Sequence, residues 1–583
     1  MMLSGYWLLL APVIPLLIAM ALMIWLGGRS GLLSISPWAA VPALMLALLP
    51  WDYTTIQLPS FGIQIGLDQT GRVFLLLSAL VWWIGGLHAS NRIARTESPR
   101  FFIFFLLAMA GNLGVLIAGG IFSFYFCFAL MSFAAYGLVI HERHSEALRA
   151  GRIYIVFVLL GEVLLLSALM LSVIGGTADD FASIRAAVMA SEQRDLIVLL
   201  LITSLGIKTG LVGLHFTLPL IYRAAPIAAA AVLAGAMINT GLLGWLRLLP
   251  LGEAPLLEWG AVLMTLGMLA TFYGVLIGLT QRDARSVLAY SSISQMGILT
   301  CAVGLGLSAP HAWPQILMVI TLYAVHHGLS KAVLFLGLGV TLHCPDNRRW
   351  RCLIGAGLLL PALSLAGAPL TSGMLAKFLL KSEVGVAPVL WVEQLSWLLP
   401  LSAFATALLM ARFIYLAWPR ATDTIKTGSQ SENLLSWVSL LVVSLLLVWF
   451  LPRPVGQVGN ELLSLSLWWS SLWPVLVAAV ISVITIKVWG DGKKPIPEIP
   501  AGDLLTLIER ICQRLLKALA WLTVLQLPRW QERLMKNAKG FVLRTSWDKS
   551  IVSLEVGLTR WQVATILFVL LILVVVLLSL PML

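Results

Sequence analysis

The sequence predicts an all-α polytopic membrane protein, and three observations carry that prediction. Of 583 residues, 60% are apolar and only 11% charged, with a mean hydropathy of +0.96, whereas a soluble domain carries about 25% charged residues. The apolar residues run in stretches of the roughly 20 residues that a helix needs to cross a ~30 Å hydrocarbon core. Arginine and lysine gather in alternate connections, the asymmetry that sets orientation in a bilayer.

In chain order the stretches fall near 7–27, 36–50, 71–88, 101–119, 120–140, 153–175, 196–220, 226–249, 257–279, 287–308, 314–342, 353–380, 388–417, 433–452, 466–489 and 561–582, sixteen in all. The first has no basic leader and no small-residue cleavage site, so it is expected to stay in the mature protein as a helix. Arg92, Arg95 and Arg100, then Arg143, Arg149 and Arg152, then Arg282 and Arg285, then Arg348, Arg349 and Arg351, then Lys493 and Lys494 all follow odd-numbered stretches. Short basic loops stay cytoplasmic, which places both termini outside a bacterial inner membrane.

The net charge of +12 is therefore spread over loops and does not form the clustered footprint of a nucleic-acid binder. The five cysteines, Cys127, Cys301, Cys344, Cys352 and Cys512, contain no CxxC pair and no iron–sulfur spacing. His343, Cys344 and Cys352 share one loop but fall short of a closed tetrahedral zinc site. No cofactor and no metal is expected on this chain.

Short connections make 1–100 a set of N-terminal membrane helices, 101–420 the core and 421–490 a C-terminal set. A turn-rich breaker at 490–497 precedes a charged, amphipathic segment over 501–550. There Leu504, Leu505, Ile508, Ile511, Leu515, Leu516, Leu519 and Leu522 recur at helical spacing, as in a helix lying along an interface. It suits a lipid anchor or a brace for a partner subunit. The stretch 561–582 then anchors the end.

An ionisable side chain in mid-bilayer costs a few kcal/mol even on lenient scales, so each one is a functional candidate. Lys208, Lys331, Lys377, Lys381 and Glu162 lie inside apolar stretches, accompanied by His215, His326 and His327. Arg247 and Arg412 sit nearer the ends; snorkelling accounts for Arg247 and Lys381. Gly206, Gly210 and Gly213 surround Lys208, while Gly367, Pro369 and Gly373 precede Lys377, so both lysines stand beside helix-breaking sequence. Interrupted helices in corresponding positions of two halves mark the ion site of inverted-repeat transporters, and backbone freed at the break is tolerated only where protein or a watery cavity lines it. His327 and Lys331, four residues apart, share one helical face, a plausible proton relay.

At these residues the sequence resembles the antiporter-like family, which includes membrane subunits of respiratory complex I, energy-converting hydrogenases and multi-subunit cation/proton antiporters. The stretch 206–219 with Pro226 resembles the family's seventh span and following loop. The stretch 281–297, with Asp283, Arg285 and Ser291, is the most specific match. The stretch 327–335 resembles the eleventh span, and 366–377, with Pro369, the broken twelfth. The resemblance covers roughly 65–415 and implies about sixteen helices, two inverted five-helix repeats with broken helices, and a C-terminal lateral helix with an anchor of the complex I subunit-5 type.

Carried onto this chain, the resemblance makes Lys208 the titrating lysine of a first half-channel and Lys377 its counterpart in the second. His327 and Lys331 become the connecting groups, with bound water between them and His215 nearby. It implies redox partners, membrane and peripheral, that handle the electrons. Two departures stand out. The family carries a glutamate in the fifth span where this chain has Ala129, and Asn239 occupies the eighth span where many members have a lysine. Glu162, one span later, is either a displaced partner of Lys208 or a structural hydrogen-bonding group. Three functions follow as alternatives: a proton- or sodium-translocating subunit of a redox-driven complex, a subunit of a cation/proton antiporter or proton-driven inorganic-carbon uptake complex, or a non-conducting scaffold.

Overall fold

The structure is a computed structural model and describes residues 2–24, 29–49, 52–53, 55–58, 63–173, 180–342, 344, 347–419, 430–451, 464–489, 499–502, 505, 511 and 514. The expected lateral segment 501–550, apart from a few positions, and the anchor 561–582 lie outside the described residues.

The described chain is helical, in the order α1 Gly5–Ile24, α2 Ser30–Leu48, α3 Gln69–Ser90, α4 Ser98–Ile117, α5 Ile121–Val139, α6 Ser145–Val173, α7 Phe181–Ala190, α8 Arg194–Thr209 and α9 Thr217–Ala224. There follow α10 Ile227–Leu248, α11 Leu257–Thr280, α12 Ala284–Ser308, α13 Trp313–Thr341, α14 Arg348–Ala366, α15 Ser372–Ser382, α16 Val389–Ala417, α17 Asn433–Phe450 and α18 Leu465–Trp489. Fourteen of these helices are long and apolar enough to cross a membrane.

The predicted count of sixteen is not reached among the described residues. The stretch 196–220 is divided between α8 and α9, neither of them long enough to cross by itself, and 561–582 is not described. The short α7, capped by Asp180 accepting from Ser183 N at 2.7 Å, was not expected; it is too short and too polar at its start to register as a span. The membrane parts of α12 and α13 are buried throughout, which makes them the centre of the bundle.

Among the described residues two spans are broken, and glycine sets both breaks. Gly210 ends α8 with φ +79° and Gly367 ends α14 with φ +86°, the left-handed geometry that residues with a Cβ avoid. After Gly367 the chain runs through Pro369 and Leu370, the latter at φ +61°, until Thr371 caps α15 by accepting from Met374 N at 3.3 Å. In each set of five consecutive spans, α4–α10 and α11–α16, the fourth is the broken one.

The positive-inside arginines also have a structural task. A helix C-terminus leaves carbonyls unsatisfied and carries partial negative charge, and guanidinium groups meet them on the face expected to be cytoplasmic. Arg92 donates to Gly339 O of α13 at 3.2 Å, Arg285 to Arg223 O and Ala225 O after α9 at 3.1 and 3.2 Å, and Arg412 to Gln281 O after α11 at 2.9 Å. Arg100 donates to His141 O after α5.

His141 is 2% exposed and sits 3.7 Å from Glu97. Burial, then Arg100 and Arg143, push its imidazole from 6.5 down to about 4, so at neutral pH it is uncharged and the Glu97 contact is not an ion pair. Between about pH 6.5 and 4 the unfolded chain binds the proton that the folded chain refuses, so stability present above 6.5 is lost as pH falls through that window. His141→Leu is expected to flatten the acid limb of thermal stability in detergent; an unchanged slope between pH 6.5 and 4 refutes it.

Arg247 corrects the snorkelling expectation. Its side chain is 7% exposed and donates to Val115 O at 2.9 Å, Leu116 O at 2.9 Å and Ala118 O at 3.0 Å, the C-terminal carbonyls of α4, and to Asp68 at 3.2 Å. It clamps α10 to α4 and does not reach for solvent.

Candidate functional site

The buried polar groups of the core form a succession through the bundle, and small residues bring them together. At one end Lys208, in the last turn of α8, has its amine 3.4 Å from Ser132 Oγ on α5 and 5.7 and 5.9 Å from the rings of Phe128 and Tyr154. Glu162 on α6 is 5% exposed, also hydrogen-bonds Ser132 and interacts electrostatically with Lys208. The serine hydroxyl thus stands between the carboxylate and the amine. Ala129, half-buried, lies one turn before Ser132 on the same helix. The fifth span thus supplies a hydroxyl beside Lys208, and the sixth span a carboxyl group.

A cavity of about 30 Å³ adjoins Lys208, lined among others by Tyr154, Tyr222, Leu233 and Met237, enough room for a water molecule. Leu233 and Met237 bound a π-helical stretch in α10, where the repeat is loosened by one residue, a feature often found at functional sites. Tyr222 donates to the carbonyl of Leu233 at 3.4 Å.

Helix α10 passes from this site to the next by two close crossings. A Cβ on Gly241 would lie 3.0 Å from Lys208 Cβ and 2.8 Å from Thr209, and one on Gly328 of α13 would lie 2.4 Å from Gly235 O and 3.0 Å from Asn239 Nδ2. Asn239 therefore sits between Lys208 and the residue after His327. Its amide donates to Gly235 O at 2.9 Å, while its Oδ1 is buried without a protein partner among the described residues.

On α13, His327 and Lys331 are fully buried. Lys331 donates to Leu288 O on α12 at 2.8 Å; His327 interacts with Lys331 and His326, and neither of its ring nitrogens has a hydrogen-bond partner among the described residues. His326 Nδ1 lies 2.9 Å from Ser372 Oγ, itself 3.0 Å from Ser364 Oγ, so this chain joins α13 to both pieces of the second broken span. Lys377 donates to Ala366 O, at the break, at 3.0 Å and interacts with His326. Gly373 permits this closeness, since a Cβ there would lie 1.7 Å from Ser364 O.

The sequence reading named Lys208, Glu162, His327, Lys331 and Lys377, and all five fall in this succession. It did not assign Ser132, Ser364 or Ser372, and it noted His326 without giving it a role. His215 stands apart, in the first break, where it accepts from Gly213 N at 3.3 Å and packs against Phe216 and Tyr273. Asp283 caps α12, accepting from Ser286 N at 2.8 Å, and Pro226 opens α10. Arg285 and Pro369 hold the loops already described, and the Ser291 hydroxyl is buried without a hydrogen-bond partner among the described residues. Among those residues no His, Cys, Asp and Glu cluster suited to a metal occurs.

Residues 118–392 match the family described as NADH:quinone oxidoreductase/Mrp antiporter, transmembrane. The chain is 29% identical to hydrogenase-4 component B of Escherichia coli K12 over 337 residues, 54% of this chain and 50% of that one. It is 27% identical to NADH-quinone oxidoreductase subunit M of the same organism over 471 residues, 76% of this chain and 89% of that one. It thus spans about half the length of the first of these relatives. The solved Mrp complex of Dietzia sp. DQ12-45-1b contains a chain with the same fold, at a TM-score of 0.67 and 20% identity, covering 94% of this chain and 63% of that one.

Proposed function

We propose that this chain, a multi-pass inner-membrane protein belonging to the NADH:quinone oxidoreductase/Mrp antiporter family, moves protons across the membrane as one subunit of a larger redox-driven assembly. The observation that carries the reading is the succession Glu162–Ser132–Lys208, Asn239, His327–Lys331, His326–Ser372–Ser364 and Lys377, which runs through the bundle with Lys208 and Lys377 half-buried and the other members buried. Amines, imidazoles and hydroxyls both give and accept protons within hydrogen-bond reach. Partnerless buried atoms such as the His327 nitrogens and Asn239 Oδ1 are ordinarily satisfied by ordered water in native proteins, which supports a hydrated path between the side-chain groups. Partner subunits supply the electron chemistry, since the sequence carries no redox motif.

The pairing of Glu162 with Lys208 through Ser132 favours conduction over a scaffold role. With Ala129 in the fifth span, the carboxyl group near Lys208 comes from Glu162 on the neighbouring helix. Glu162→Gln is expected to lower proton movement by roughly tenfold, equivalent to about 1.4 kcal/mol in the barrier, and Lys208→Ala by more, measured as charge movement in proteoliposomes holding the assembled complex. Unchanged coupling in both variants rejects the pairing.

A further inference from the structure

The second large feature of the bundle is a crevice of about 610 Å³ between α14, α16 and α18, a volume within the roughly 300–1,000 Å³ of ligand sites. We propose that it holds one acyl chain of an anionic glycerophospholipid whose headgroup lies at the cytoplasmic rim.

The shape carries the first part of the inference. The floor is made of small side chains: Ala366 and Ala407 are 1% and 7% exposed and form a buried cluster with Ala478. The mouth is made of large ones, Leu359, Trp418 and Val483, which are 39%, 42% and 52% exposed on the flank of the bundle. An apolar slot with exposed large side chains at its mouth and a buried alanine floor matches a flexible hydrocarbon tail. Such a tail fills it with apolar contacts and leaves no polar group unsatisfied.

The charge at the rim carries the second. Tyr415 and Trp418 line the crevice at the C-terminal end of α16, toward the face expected to be cytoplasmic, the position of interfacial aromatic residues. The Arg412 guanidinium lies 5.7 Å from the centre of the Tyr415 ring. Lys487 is exposed and stands four residues beyond Val483, hence on the same face of α18 and nearer its cytoplasmic end. Cations and aromatic rings at headgroup depth attract anionic lipid, and among the described residues lining the crevice none offers the acidic complement that a basic partner helix would require.

The inner end of the slot adds a consequence. Ala366, which closes the floor, is also the residue whose carbonyl receives Lys377, so the lipid tail ends against the backbone of the second broken span and shields that hydrogen bond from the side.

The test uses the full chain in the assembly with which it purifies, exchanged into nanodiscs of phosphatidylcholine containing phosphatidylglycerol, followed by native mass spectrometry and by electron paramagnetic resonance of a phosphatidylglycerol spin-labelled on its chain. The protein is expected to retain phosphatidylglycerol over phosphatidylcholine and to immobilise the label. In A411L/A479L, which fills the crevice from two helices, retention should fall by about tenfold, as expected if a couple of chain methylenes are excluded. In Lys487→Gln the tail should remain immobilised while the preference for the anionic headgroup declines. A monodisperse A411L/A479L protein that still binds and immobilises the lipid as the parent does overturns the proposal. If that variant does not assemble, the parent decides alone: a freely mobile label overturns the proposal, as does a cross-link from Ala479→Cys into residues 515–583, which would put protein in the slot.

Discussion

Lys331→Met is expected to slow proton movement sharply while leaving the fold at least as stable as the parent. The amine is fully buried in the central helix α13 and donates to the Leu288 carbonyl at 2.8 Å. Methionine has nearly the volume of the lysine stem, and volume-conserving apolar replacement of a buried charged group is commonly neutral or stabilising. The Leu288 carbonyl is not stranded, because Ser292 Oγ also donates to it at 3.2 Å. Transport is another matter, since no neighbouring group on α13 can take over proton exchange at that position; His327 lies a full turn away. A loss of roughly 100-fold, the lower range for a proton-transferring side chain, is expected in proteoliposomes, with an unchanged or raised melting temperature. Wild-type rates in Lys331→Met would remove the central member of the succession and with it the proposed path.

Arg247→Ala is expected to do the opposite, damaging the fold first. Four acceptors converge on that guanidinium, three of them carbonyls at the end of α4, of which Val115 O also accepts from Ala118 N at 3.4 Å. Removing the guanidinium leaves the buried carbonyls of Leu116 and Ala118 without this donor, while exposed Asp68 turns to solvent, at a cost of about 3 kcal/mol. The ring of Phe181, 5.0 Å from the guanidinium, loses its contact as well. Thermal unfolding in detergent, followed by a reporter just beyond the clamped end of α4, such as a single label at exposed position 122 at the start of α5, should show a large drop in midpoint. A midpoint equal to that of the parent would mean that the clamp contributes nothing and that the snorkelling expectation was right after all.

These two residues also show what the sequence can and cannot disclose. Membrane spans are legible because lipid forces a long apolar run on each of them, and the two breaks are legible because glycine and proline gather beside a lysine that has no other reason to be there. Lys208 and Lys377 could therefore be read directly. Ser132 could not, because a serine in an apolar helix carries no periodic signal and its partner lies 76 residues away. His326 and Ser372 meet across 46 residues for the same reason. Arg247 was misread because position in a span says how far a side chain is from water, not which carbonyls from another helix reach it first. The π-helical stretch of α10 is likewise a product of packing: nothing in Leu233–Met237 favours it locally, and it appears where α10 is pressed against α13.

Helix α10 touches α8 at Gly241 and α13 at Gly235 with almost no side chain between the backbones. A rod pinned at two such points is a poor piston: sliding or rolling it would drive main-chain atoms into one another. Whatever passes between the two halves of the molecule is thus better carried by swinging side chains and shifting solvent inside a stiff frame than by travel of the frame itself.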